Sequence, residues 1–150
     1  MMKRFLLYMF LTLPCISQAQ SKAVLEKQIK NTLSYQHIKY KSFGKDSQIN
    51  IYQIEFNDCT MSYPIFKKNG NKTERFTVRI FFPGISKITM TKNKEGYYVI
   101  TFTTKGKSII KEYPDGKLIH VKTQLIPLET ENWKTLHYFE KLNQICLSRK

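Results

Sequence analysis

Hydrophobic positions along this chain follow four successive patterns, and each predicts a different element. Residues 5–16 form an apolar run interrupted only by Thr12 and Pro14. Residues 22–36 place Val24, Leu25, Ile29 and Leu33 at helical spacing, with Lys22, Lys27 and Lys30 between them, which predicts a short amphipathic helix. From residue 40 to residue 128 the pattern changes to β-branched and aromatic alternation punctuated by turn residues, as expected of an antiparallel sheet. Beyond Pro127, Trp133, Leu136, Phe139, Leu142 and Ile145 recur on one side of a helix expected over residues 130–148. Glu129 and Glu131 near its start and Arg149 and Lys150 near its end complement its dipole.

The central region predicts strands over residues 49–56, 59–65, 76–82, 86–91, 97–104, 107–113 and 117–126. Between them stand Asn69-Gly70, Pro83-Gly84, Lys94-Glu95-Gly96, Lys105-Gly106 and Pro114-Asp115-Gly116, each offering a preset φ or a residue tolerant of positive φ. Alternation assigns the faces. Phe76, Val78, Ile80 and Phe82 share one side and Arg75, Thr77 and Arg79 the other, so one face is dry and one wet. Ile88, Met90, Tyr98, Ile100 and Phe102 extend the dry side, and Lys87, Thr89, Thr91, Thr101 and Thr103 the wet one. The expected architecture is α+β in a single domain over residues 20–150: an N-terminal helix, an antiparallel sheet of about seven strands, and a C-terminal amphipathic helix.

Composition changes this picture in two respects. The first is export. Lys3 and Arg4 precede the apolar run, and Ser17 and Ala19 follow it at the spacing of a signal-peptidase site, so residues 1–19 read as a cleavable secretory signal. The run is too short to span a bilayer, and Pro14 before Cys15 disfavours a lipoprotein. Localisation is therefore expected to be periplasmic or secreted, with no transmembrane segment in the mature chain. Cys15 leaves with the signal, so Cys59 and Cys146 remain as a disulfide candidate in an oxidising compartment. Closing a loop of that length restricts the unfolded chain by roughly 4 to 5 kcal/mol. The second is charge. The chain has 25 Lys and Arg against 11 Asp and Glu, a formal net charge of +14, which signals attraction for anionic partners. With 41% hydrophobic residues, the chain lacks the apolar-poor signature of disorder.

The segment from Phe76 to Met90 is a strand, a tight loop and a second strand. With Tyr97 to Thr104 and the closing helix, it resembles pleckstrin-homology and GRAM-like domains over residues 48–148. The resemblance implies a PH-like roll or half-barrel and transfers no catalytic residue. The signal-bearing basic chain also resembles small uncharacterised exported proteins of gram-negative bacteria. A cystatin-like helix wrapped by a curled sheet is the alternative architecture.

Motifs for catalysis are scarce. Gly106-Lys107-Ser108 copies the end of a phosphate-binding loop, but Thr101 stands where the motif needs glycine, and a hairpin follows instead of a helix. His37, His120 and His137 lack metal-ligand spacing, so no metal and no cofactor is assigned. Cys59 beside Asp58 would suit thiol chemistry, but the expected disulfide consumes that nucleophile. Glu55, Asp58 and Glu112 do not mark a convergent acid pair. Asn71-Lys72-Thr73 is a glycosylation sequon only in a eukaryotic host.

Charge remains as the functional signal. Lys67, Lys68, Lys72, Arg75 and Arg79 group around one loop and strand, and Lys105, Lys107 and Lys111 around another turn. Lys is a hydrated point charge with less geometric specificity than Arg, which favours diffuse attraction. Tyr35, Tyr40, Phe43, Tyr97 and Tyr113 are available as stacking platforms, but an exported protein seldom meets nucleic acid. The expected function is a non-enzymatic exported module that docks an acidic protein or an anionic envelope component. The alternative is a small secreted hydrolase whose active site the sequence does not identify.

Overall fold

The computed structural model describes residues 21–42 and 45–148. The expected export signal, Phe43, and the charges of Arg149 and Lys150 lie outside the described residues. Helix α1 covers residues 21–33 and buries Leu25, Ile29 and Leu33. Val24, expected on the same stripe, is 57% exposed. The helix ends before residue 36 because Tyr35 takes a φ of 60° and Gln36 already begins a strand.

Ten strands and a second helix follow: β1 (Gln36–Ser42), β2 (Lys45–Ile51), β3 (Glu55–Asn57), β4 (Thr60–Asn69), β5 (Lys72–Phe81), a 3-10 turn at Phe82–Gly84, β6 (Ile85–Lys92), β7 (Tyr98–Thr104), β8 (Ile109–Glu112), β9 (Leu118–His120), β10 (Thr123–Leu128) and α2 (Trp133–Leu147). The α+β class, the two flanking helices and an antiparallel sheet of seven strands agree with the sequence. The large sheet has the order β1-β2-β4-β5-β8-β9, with β3 paired to β4. A second sheet of three strands, β10-β7-β6, stands beside it.

Strands β4 and β5 run four residues further at their hairpin than the expected 59–65 and 76–82, because pairing continues to Asn69↔Lys72, and three other segments differ from the expectation, each for a local reason. Strand β1 was hidden because Lys39 and Lys41 are exposed and only Ile38 is fully buried among its apolar residues. The expected strand over 49–56 breaks at residues 52–54. Both flanks pair with β4, and the break shifts the alternation so that Ile49, Ile51 and Ile54 are all buried. The expected strand over 117–126 divides at Val121 and Lys122, where the chain leaves β8 for β7 and thereby changes sheets.

The hairpin β4–β5 pairs from Thr60↔Phe81 to Asn69↔Lys72 and turns through Gly70, whose φ of 58° suits glycine. On its inner face Met61, Tyr63, Ile65, Phe76, Val78 and Ile80 are buried. Phe82, Phe102 and Phe139 meet as a three-ring cluster, with Phe102 edge-on to Phe139 at 4.9 Å between centroids. Phe139 comes from α2, which also buries Leu136, Leu142 and Cys146. Asn132 caps α2 by accepting from the Thr135 backbone N–H at 3.0 Å. Trp133, expected on the apolar stripe, is 57% exposed, although Thr135 and Leu136 of the same turn are buried.

Cys59 and Cys146 form a disulfide, with 5.8 Å between their Cα atoms and a sequence separation of 87. It ties the last turn of α2 to the start of β4. The Phe82 backbone N–H also donates to the Cys59 carbonyl at 3.0 Å. Among the described residues, no helix is long and apolar enough to cross a membrane.

Candidate anion-binding site

Antiparallel register divides the basic residues between two faces of the large sheet. Opposite one another across β1, β2, β4 and β5 stand Lys39↔Gln48, Gln48↔Lys68 and Lys68↔Thr73, then Phe66↔Arg75 and Ser62↔Arg79. These positions alternate with the buried Ile49, Ile65, Phe76 and Val78, so Lys39, Lys68, Arg75 and Arg79 lie on the outer face. Lys72 borders that face at the hairpin turn. Lys107, from the turn after β7, shares an open groove with Arg79, Phe81 and Ile110. Lys105 is exposed on the same turn.

Arg79 pairs with Glu112 across β5 and β8. The Arg75 guanidinium lies 5.3 Å from the centroid of the Phe66 ring, a cation–π contact that holds its planar fork against the sheet. Tyr52, Phe66, Arg75, Thr77 and Glu112 line a broad open groove there.

Lys67 and Lys111 belong to the other face. Lys67 continues the row Met61, Tyr63, Ile65, and Lys111 is opposite Val78. Both line a cavity of about 200 Å³ with Tyr40, Ile49, Ile65 and Phe76 of the large-sheet side and Tyr97, Val99, Gln124, Leu125 and Pro127 of the small-sheet side. The Lys111 ammonium lies 4.9 Å from the centroid of the Phe76 ring. Burial holds its pKa below the usual lysine value, the charge of Lys67 adds to that, and Glu74 offsets part of it. Glu74 is opposite Lys67 in the register but is itself exposed. Among the described residues neither lysine forms an ion pair.

Of the tyrosines expected as stacking platforms, Tyr40 and Tyr97 meet, while Tyr35 and Tyr113 stand elsewhere. Tyr40 and Tyr97 form an edge-on pair at 5.2 Å beside the cavity, and Tyr113 packs on Phe76 at 5.5 Å. Tyr35 is exposed at the end of α1. Burial raises the Tyr40 phenol, with the neighbouring Tyr97 adding to the shift. Tyr63 lies deeper. Its hydroxyl is buried with no hydrogen bond of good geometry, and burial pushes its pKa far above the usual phenol range despite the nearby Gln124 amide.

Residues considered for catalysis do not converge. His37 is on β1, His120 closes β9 with Nδ1 3.2 Å from the Lys107 carbonyl, and His137 is on α2, 4.0 Å from Glu140. Cys59 is held in the disulfide, which removes its thiol. Among the described residues no group of three His, Cys, Asp or Glu is placed to hold a metal. Gly106-Lys107-Ser108 is a turn between β7 and β8.

The sequence reading grouped all eight cations by nearness along the chain and missed the division between faces. The signal was present in the parity of Lys67 with Met61, Tyr63 and Ile65. Compared with known proteins, the chain matches no family model, no curated protein and no solved structure.

Proposed function

We propose that the chain is an exported, non-enzymatic interaction module whose large-sheet outer face docks the acidic surface of another protein. The observation that carries this is the excess of positive charge on that face, where Lys39, Lys41, Lys68, Arg75 and Arg79 outnumber Asp46, Glu55 and Glu112, the last already engaged by Arg79. Its dimensions suit a protein partner. The ten-residue strands β4 and β5 span about 33 Å, and with the shorter β1, β2 and β8 beside them the face is about 20 Å wide, somewhat less than the ~800 Å² that each partner contributes to a standard interface. Arg75 stacked on Phe66, with Tyr52 beside them, supplies the residue types that anchor such interfaces. Export rests on the signal pattern of residues 1–19 and agrees with a disulfide that persists in oxidising compartments.

The test uses the oxidised mature chain with polyglutamate as an acidic probe and with phosphatidylglycerol and phosphatidylcholine vesicles as lipid probes. Polyglutamate is expected to bind, to lose about tenfold or more in affinity between about 50 and about 300 mM salt, and to bind poorly to the Lys68→Glu/Arg75→Glu variant. Salt-independent binding, or binding unaltered in that variant, would overturn the assignment. Stronger retention on phosphatidylglycerol than on polyglutamate would overturn the choice of a protein partner in favour of an anionic surface.

A further inference from the structure

The cavity beside Lys67 and Lys111 has the chemistry of a small-molecule site. Half of its lining is apolar, from Ile49, Ile65, Phe76, Val99, Leu125 and Pro127, and half carries polar groups: the two ammonium groups, the Tyr40 and Tyr97 side chains, Thr123 and the buried Gln124. An apolar wall beside placed polar groups that can fix a ligand's orientation is the make-up of a ligand pocket, here with a larger polar share that suits a charged head group. The charge of the two lysines is met only in part, by the exposed Glu74 opposite Lys67 and by the Phe76 ring under Lys111. Placing cations on the dry face of a sheet is costly unless an opposite charge meets them, and among the described residues no carboxylate pairs with either one. Burial lowers the Lys111 pKa, repulsion from Lys67 adds to that, and Glu74 offsets part of it. An anion between them would relieve both costs.

We propose that this cavity binds a small amphiphilic carboxylate, its apolar body lying against Ile49, Ile65, Phe76, Val99 and Leu125 and its carboxylate held between Lys67 and Lys111. Volume sets the size of the guest. A 150 Å³ apolar cavity accommodates benzene, so about 200 Å³ takes one ring with a short side chain or a medium acyl chain, roughly ten non-hydrogen atoms. Bulky diacyl lipids are too large. For a ligand of this size the expected dissociation constant is on the order of 0.1 mM. The site is independent of the outer face, because Lys68, Arg75 and Arg79 do not line the cavity.

Octanoate and 4-phenylbutyrate are the probes, with octanol as the neutral counterpart and inorganic phosphate as a head group without a body. Titration is followed by methyl chemical shifts of Ile49, Ile65, Val99 and Leu125 in the oxidised full chain. Both carboxylates are expected to give saturable shifts at these methyls, and octanol and phosphate to bind about tenfold more weakly or worse. Lys67→Gln and Lys111→Gln should each weaken octanoate by about tenfold, while Lys68→Glu/Arg75→Glu leaves it unchanged. Leu125→Trp keeps both lysines but fills the mouth of the cavity, and is expected to abolish binding. Equal affinity for octanol and octanoate, retention of binding in Lys67→Gln/Lys111→Gln, or no saturable shift at millimolar octanoate would each overturn the proposal. Loss of polyglutamate binding with octanoate binding intact would count against the docking face alone.

Discussion

The inner face of the large sheet runs between two ends built by the same alternation and finished with opposite chemistry. At one end Met61, Ile80 and Ile109 lie side by side, Phe82 meets Phe102 and Phe139 from α2, and the Cys59–Cys146 bridge closes the packing. At the other end Ile65 and Phe76 are followed by Lys67 and Glu74, Lys111 reaches over Phe76, and a cavity remains. Helix α2 packs chiefly on β6 and the Phe82–Gly84 turn, at the first end. One end is built for stability and the other keeps unfavourable charge near an apolar wall, a combination expected where function has been favoured over stability.

Mutations should separate the two ends by the size and sign of their effects. Phe139→Ala removes a fully buried ring that makes two aromatic contacts, with Phe82 and Phe102, and should destabilise the fold by about 3–5 kcal/mol, read as a lowered denaturant midpoint. Reduction of the disulfide, or Cys59→Ser with Cys146→Ser, should cost about 2–4 kcal/mol. Intact mass after alkylation with and without reductant checks the bridge directly, and two free thiols in the untreated protein would contradict it. At the open end, Lys111→Met should leave the midpoint unchanged or raise it by about 1 kcal/mol or less, since it replaces a half-buried cation whose charge Glu74 offsets only in part. A loss comparable to that of Phe139→Ala would mean that both ends are structural in the same sense.

The finest distinction comes from pH. The folded state holds the Tyr63 proton more tightly than the unfolded chain, because burial raises its pKa above 10.0. Its stabilising contribution is therefore complete below the unfolded value and lost as the pH climbs beyond it. Tyr40, Tyr97 and Tyr113 shift in the same direction. Lys111 has the opposite sign. Its pKa is lowered from 10.5, so its destabilising contribution is complete below the folded value and fades as the pH approaches the unfolded one. Midpoints measured from neutral pH to about pH 11 should fall above the unfolded phenol value, and Tyr63→Phe should make that fall shallower. At neutral pH Tyr63→Phe should change stability by no more than about 1 kcal/mol, because the hydroxyl it removes has no well-formed hydrogen bond.

Legibility in the sequence followed the same division. Strong alternation exposed β5 and β7, turn residues such as Asn69-Gly70 located the hairpins, and two cysteines in the expected mature chain identified the bridge. These signals are local or come from elimination. Strand β1 stayed hidden because an edge strand with exposed lysines carries little apolar contrast. The division of residues 117–126 between two sheets depends on which partner each half finds, and alternation continues unbroken through that change. Lys67 and Lys111 were visible as charges, but their meeting at one cavity requires the cross-strand register of β4, β5 and β8.

The chain passes from one sheet to the other three times, after β5, after β7 and after β9. Neither sheet is therefore a contiguous stretch of sequence, and no single cut yields two pieces that each retain a complete sheet. Ending the chain after β7 would strip β8 and β9 from the large sheet and β10 from the small one, baring β5 and β7 as new edges open to misplaced pairing. The interlaced order ties the two sheets into one cooperative unit, so occupancy of a cavity that touches both would register as added resistance to unfolding of the whole molecule.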